Sequence, residues 1–189
     1  MTEMEFKEHM QPINHQIFGY GVDSWNRMEK FIEISQGLTD VQYWAGLKMA
    51  FTSSDNTYYL REEIKILFLS ARPMEQYIMD SDERLLLESL PETVIVYRGM
   101  SLEEYESEEY GISWSLERSV AEFFAYTYIR NLDTKGIPKV VVRAEVERHM
   151  ISALWNDRKE EEVILNPSCL AMLDTDLVCA NRKDAIMLR

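Results

Sequence analysis

Two cysteines in 189 residues, Cys169 and Cys179, are too few for a disulfide framework and show none of the paired spacings that hold zinc. Both read as reduced, half-buried small hydrophobes. Five prolines and seven glycines, scattered along the chain, exclude a fibrous repeat, and 46% hydrophobic with 11% aromatic residues excludes disorder. No stretch approaches the ~18 consecutive apolar residues of a membrane span. The opening, Met1-Thr2-Glu3-Met4-Glu5-Phe6-Lys7-Glu8-His9, is polar and acidic where a secretory signal is basic and then apolar, so a cytoplasmic protein is expected. Basic residues are also short: 20 against 33 acidic ones leave a formal charge of −13. Such a field repels polyphosphate over most of the surface and disfavours nucleic acid as a partner, unless a local basic cleft overrides the average. Solubility is the simplest use of that acidity. The histidines, His9, His15 and His149, are isolated, and no metal site is expected.

What is present is enough for one real core, so residues 1–189 are read as a single domain with a helical part over about 1–91 and a sheet-rich part over about 92–189. Asp23 and Ser24 can cap a helix whose apolar face carries Trp25, Met28, Phe31 and Ile32, with Gly37 just beyond its end. Thr39 can cap the next, where Val41, Trp44, Leu47 and Phe51 recur at helical spacing. A polar turn, 52–56, precedes a third helix with Leu60, Ile64, Leu67 and Phe68, closed by Pro73. Asp80 and Ser81 open a short fourth, ended by Pro91.

After Pro91 the period changes. Thr93-Val94-Ile95-Val96-Tyr97 is a β-branched run of the kind that forms a buried strand. Further strands are expected at 112–115, 139–146 and 163–165. Residues 177–180 and 185–188 are expected to pair as a closing hairpin. A helix through Val120, Phe123, Phe124, Thr127 and Tyr128 follows the second strand. The expected class is α+β, a helical N-terminal layer with a mainly antiparallel sheet.

Three clusters in the sheet half could carry chemistry. In Tyr97-Arg98-Gly99-Met100 an always-charged planar guanidinium ends an apolar strand, suited to gripping phosphate oxygens, and Gly99 allows close approach to the backbone; a strand-capping arginine is the structural alternative. In Ser113-Trp114-Ser115, period two puts both hydroxyls on one side and Trp114 on the other. One serine can hold a catalytic carboxylate, or Ser115 can simply cap the following helix. Trp114, Phe123 and Phe124 also suit a core. In Trp155-Asn156-Asp157-Arg158-Lys159-Glu160-Glu161-Glu162-Val163-Ile164-Leu165, Glu160 and Glu162 fall on one face of the strand entry. Two crowded carboxylates offer an anion to stabilise a cationic transition state and a base to take a proton. Arg158, Lys159 and Glu161 read as a solvated run.

In their order and settings these features resemble the arginine–serine–glutamate clade of mono-ADP-ribosyltransferases. That family has an arginine ending an early strand, a Ser-x-Ser strand leading into a helix, and Glu-x-Glu directly before a Val-Leu-Leu-like strand. The resemblance covers residues 93–166, with Trp114 standing where the family usually has threonine. It implies a split antiparallel sheet and a reaction that cleaves the nicotinamide–ribose bond of NAD without a metal. By the same token Arg98, Ser113, Glu160 and Glu162 are implied as catalytic residues. Arg98, Gly99, Ser113, Trp114, Ser115, Phe124 and Glu162 are implied to line the NAD site, with Phe123 and Tyr126 beside Phe124 as candidates to pack on nicotinamide. A glutamate at 160 goes, in the family, with transfer to protein arginine, and Trp155 stands where an aromatic often touches the acceptor. Plain packing is the alternative for Trp155. Transfer to a nucleic acid base or a small guanidino compound, hydrolysis of NAD, and a non-enzymatic binding module remain alternatives. Small transferases of this kind are often toxins or phage effectors in bacterial or phage-infected cells, which implies a neutralising partner.

Overall fold

A computed structural model describes residues 3–55, 57–128, 136–156 and 161–180. Two compact units divide between Ser81 and Asp82. In the first, Thr39 caps α3, Asp40–Thr52, as the spacing predicts. Its side chain accepts from the Gln42 N–H while the Gln42 side chain accepts from the Thr39 N–H, a full capping box. Tyr43, Trp44 and Leu47 are buried there against α1, Glu3–Ile17, and α2, Arg27–Ile34. Gly46 makes the crossing close: a Cβ on it would press on Ile13 and lie 3.0 Å from Phe31. The helix α4, Arg61–Phe68, buries Ile64, Leu67 and Phe68 and stops before Pro73.

Two helical expectations need correcting. Asp23 and Ser24 do not cap α2. The Asp23 carboxylate instead accepts from the N–H groups of Trp25 and Asn26, forming a turn, so the helix begins at Arg27 and Trp25 is left 58% exposed. The helix α1 is absent from the sequence reading, since its opening residues are polar and Pro12 lies inside it.

The second unit is built on a six-stranded sheet in the order β4-β5-β2-β1-β3-β6, antiparallel at every pairing. The strands are β1 Thr93–Ser101, β2 Ser113–Ser115, β3 Lys139–Glu147, β4 Ile151–Trp155, β5 Glu162–Leu165 and β6 Thr175–Ala180. The α+β class is therefore as expected. Pairing is uneven across the sheet. β1 and β3 run together from Thr93 opposite Glu147 to Ser101 opposite Lys139, and β2 pairs with β5 along its whole length. Between β1 and β2 there is one register pair, Tyr97 opposite Ser115. Two ladders are thus joined at a narrow waist.

Val94, Val96, Met100, Val140, Val142, Ala144 and Val146 are buried on one face of β1 and β3. The other face is covered near the waist by α7, Arg118–Glu122, which runs into a π-helical turn, Phe123–Thr127. Ala121 and Ala125 pack there on Val141, with Tyr97, Tyr126, Val178 and Cys179 around them. Gly99 lets this segment in: a Cβ would sit 2.9 Å from that of Ala125 and closer still to the Ala121 carbonyl.

Helix α5, Ser81–Ser89, was expected within the helical part but belongs with the sheet. The Arg148 guanidinium, from the turn after β3, donates to the Glu88 and Leu90 carbonyls at 2.7 Å each, satisfying groups that the helix end leaves open. Strand β4 was not expected, and Trp155 is its last residue. The expected partner strand at 185–188 lies outside the described residues. No helix among the described residues is long and apolar enough to cross a membrane.

Replacing Thr39 by Ala removes the α3 cap and a 2.8 Å contact with His9 Nε2. It is expected to lower stability by about 1–2 kcal/mol, read as a reduced urea midpoint at unchanged slope.

Candidate active site

Arg98 lies one residue past the waist, where β1 and β2 stop pairing. Its three nitrogens have three settings. Nε donates to Glu104 Oε1 at 2.8 Å and Nη1 donates to the Ser113 carbonyl at 2.5 Å. Nη2 lies over Gly111, where a Cβ would be 2.8 Å from the guanidinium carbon. The guanidinium thus takes a carbonyl of β2 that β1 does not pair. Alternation alone would carry residue 98 to the face opposite Ser113; the open waist lets its tip reach back to the edge of β2.

Glu104 sits on α6, Leu102–Ser107, a short helix capped by Ser101, whose hydroxyl accepts from the Glu104 N–H at 3.1 Å. The carboxylate also accepts from the Gly111 N–H at 2.9 Å, and its side chain is only 10% exposed. Burial alone would push this carboxyl up. The Arg98 charge and hydrogen bond, the Gly111 N–H and the Lys139 charge outweigh burial and hold it below the ordinary glutamate range. Lys139, the first residue of β3, is lowered by burial, against the opposing pull of Glu104.

Ser113 and Glu162, both site residues by the resemblance, meet. The Ser113 hydroxyl donates to Glu162 Oε1 at 2.5 Å, across the β2–β5 ladder in which Ser115 stands directly opposite Glu162. A residue two along from the direct partner is within reach on the same face. Arg98 and Glu162, distant in the chain, therefore converge on one residue, Arg98 on its carbonyl and Glu162 on its hydroxyl.

The other expected site residues are more structural. Ser115 is buried, and its hydroxyl accepts from the Glu117 N–H at 3.0 Å at the entry to α7. Trp114 is 2% exposed, its indole N–H donating to the Gly111 carbonyl at 2.9 Å and its ring edge-on to Tyr110. It is a core residue that fixes the loop beneath Arg98. Trp155 is equally buried, opposite Glu162 on β4. Gly99 serves the approach of α7. Phe124 is half-buried in a cluster with Phe123 and Tyr128, ring centres 5.2–5.8 Å apart, with Phe123 exposed. Tyr126 donates its hydroxyl to the Cys179 carbonyl at 3.1 Å. Glu160 lies outside the described residues. No group of three or more potential metal-binding side chains occurs among those that are described.

Sequence reasoning missed Glu104 and gave Gly111, at the head of the Ser113-Trp114-Ser115 cluster, no role of its own. Ser101-Leu102-Glu103-Glu104 has the capping-box spacing, the one signal available, and it accounts for the Ser101 cap but sends the Glu104 carboxylate back to the helix start rather than to Arg98. Glu161 departs from a plain solvated role: its φ is 43°, left-handed, while its carbonyl accepts from the Leu116 N–H at 3.1 Å. A non-glycine residue there is strained by about 1 kcal/mol.

Two stability outcomes follow from this geometry. Glu161→Gly is expected to cost nothing or to gain up to about 1 kcal/mol, while Glu161→Val loses about 1 kcal/mol or more in urea unfolding. Because the folded carboxyl of Glu104 titrates below its unfolded value, its contribution is complete above the ordinary glutamate range and disappears as pH falls through the lowered value. The stability gap between the native protein and Glu104→Gln should therefore be widest near neutrality and shrink toward pH ~3. Set against family models, curated proteins and solved structures, the chain matches none.

Proposed function

We propose that the chain is a mono-ADP-ribosyltransferase that cleaves NAD and passes ADP-ribose to an acceptor, with protein arginine first among the candidates. The observation that carries the reading is the 2.5 Å bond from Ser113 to Glu162, with Arg98 held on the carbonyl of that same serine. A carboxylate fixed by a hydroxyl is oriented before substrate arrives, so no reorganisation is needed as charge develops. The waist between the two ladders suits the split sheet that goes with this chemistry.

In this mechanism the C1′–N bond of NAD breaks and nicotinamide leaves with the electron pair. The ribose carbon becomes oxocarbenium-like, the charge problem that glycosidases also solve with a carboxylate. Glu162 accepts a hydrogen bond from a ribose hydroxyl and sets its negative charge beside the forming cation, an effect on the order of 3 kcal/mol or more. Arg98 supplies the phosphate contact: Nη2 has no hydrogen-bond partner among the described residues, and the side chain is 20% exposed. An acceptor guanidinium nitrogen then bonds to C1′ and yields its proton to Glu160. Action in the cytoplasm and a neutralising partner accompany the proposal. Arg98's engagement by Glu104 and Ser113 is also what a purely structural clip needs, and favours a non-enzymatic binding module as the second reading.

Purified protein incubated with adenylate-labelled NAD and a cell lysate, then digested with protease or nuclease, tests the proposal. Protein-bound label that protease removes is expected. Nuclease-sensitive label moves the acceptor to nucleic acid, and free ADP-ribose alone makes the protein an NAD glycohydrolase. Glu162→Gln should lower kcat by about 10²–10³-fold with the fold intact. Wild-type protein that neither binds NAD nor releases nicotinamide leaves the binding-module reading standing and ends the proposal.

A further inference from the structure

We propose that Glu104 is a positioning residue of this site, fixing the Arg98 guanidinium in the one orientation that leaves Nη2 available to a phosphate oxygen of NAD. The inference rests on the transferase reading above. An arginine side chain gives up much rotamer freedom when held in place, and one left without a partner samples many poses. Here a single carboxylate oxygen, Oε1 of Glu104, accepts from both Arg98 Nε at 2.8 Å and the Gly111 N–H at 2.9 Å.

The mode of pairing matters. A carboxylate that grips arginine end-on engages two nitrogens of the fork and leaves less of it for another anion. Glu104 binds at Nε, Ser113 takes Nη1 through its carbonyl, and Nη2 projects over a glycine that has no side chain to cover it. Glutamates at 103, 106, 108 and 109 surround Glu104 in the chain, and none of them forms an ion pair with Arg98. Because the Glu104 side chain is nearly buried, its hold on Arg98 is little screened by solvent. The same oxygen ties Arg98 to Gly111, two residues before Ser113, so guanidinium and serine are registered to each other.

Nicotinamide release measured against NAD concentration, in Glu104→Ala, Glu104→Asp and Gly111→Ala, separates positioning from mere support. Glu104→Ala is expected to raise KM for NAD by about tenfold or more while kcat at saturation changes little, and Glu104→Asp to recover part of the loss. Gly111→Ala keeps the carboxylate but crowds Nη2, and should give the same split by an independent route. It also carries the test if Glu104→Ala does not fold. The Arg98 Nε–H resonance, assigned through Arg98→Lys, should be protected from solvent exchange in wild type, lose that protection in Glu104→Ala and keep part of it in Glu104→Asp. Folded variants at both positions with unchanged KM in an active background overturn this inference alone. A wild type that releases no nicotinamide overturns the transferase reading and this inference together.

Discussion

Everything at the candidate site depends on two neighbouring strands that touch at one position. Past Tyr97 and Ser115 the β1–β2 ladder ends, and a guanidinium bonds a β2 carbonyl that β1 leaves unpaired. Backbone groups away from water need partners, so an opening in a sheet is stable only when something fills it. A side chain that fills such an opening is in the structure and at the edge of the site at once. That dual position explains how a charge can be firmly held while one of its nitrogens keeps no hydrogen-bond partner among the described residues.

The arginine and its glutamate partner are largely withdrawn from water, which sets their energetics apart from the exposed pairs, such as Arg118 with Glu122 or Lys30 with Glu33. Exposed pairs contribute little, because solvent screens them and ordering two long side chains costs entropy. A sheltered pair adds little net stability either, yet losing one member leaves a charge without compensation. The arrangement therefore secures geometry more than it adds stability. The peptide N–H of Gly111 and the nearby charge of Lys139 share in compensating the carboxylate.

Much of the sheet was legible because β-branched runs have few alternatives: residues 93–97 and 139–146 became the core of the longest ladder, which extends at both strands' ends. Strand β4 was hidden because Ile151-Ser152-Ala153-Leu154-Trp155 follows a 3₁₀ turn with no glycine or proline to mark it, and four of its five residues are buried. Alternation put Ser113 and Ser115 on one face without choosing between them, and it was the resemblance that singled out Ser113 and Glu162, which the structure brings together. Glu104 could not be found that way. It sits among five glutamates between residues 103 and 109, and only the fold distinguishes the one that turns inward. Asp23 and Ser24 show the converse, as good capping residues that closed a turn instead because the chain bends back there, with Ser24 donating to the Asp55 carboxylate at 2.6 Å.

The hairpin of β4 and β5 closes where Trp155 faces Glu162, and Glu162 in turn faces Ser115 on β2. The backbone that carries its carboxylate is thereby held by ladders on both sides. A strand paired along both edges resists sliding, because a slip of one residue would turn every side chain on it to the other face, so a group at such a position keeps its place whatever its own rotamer does.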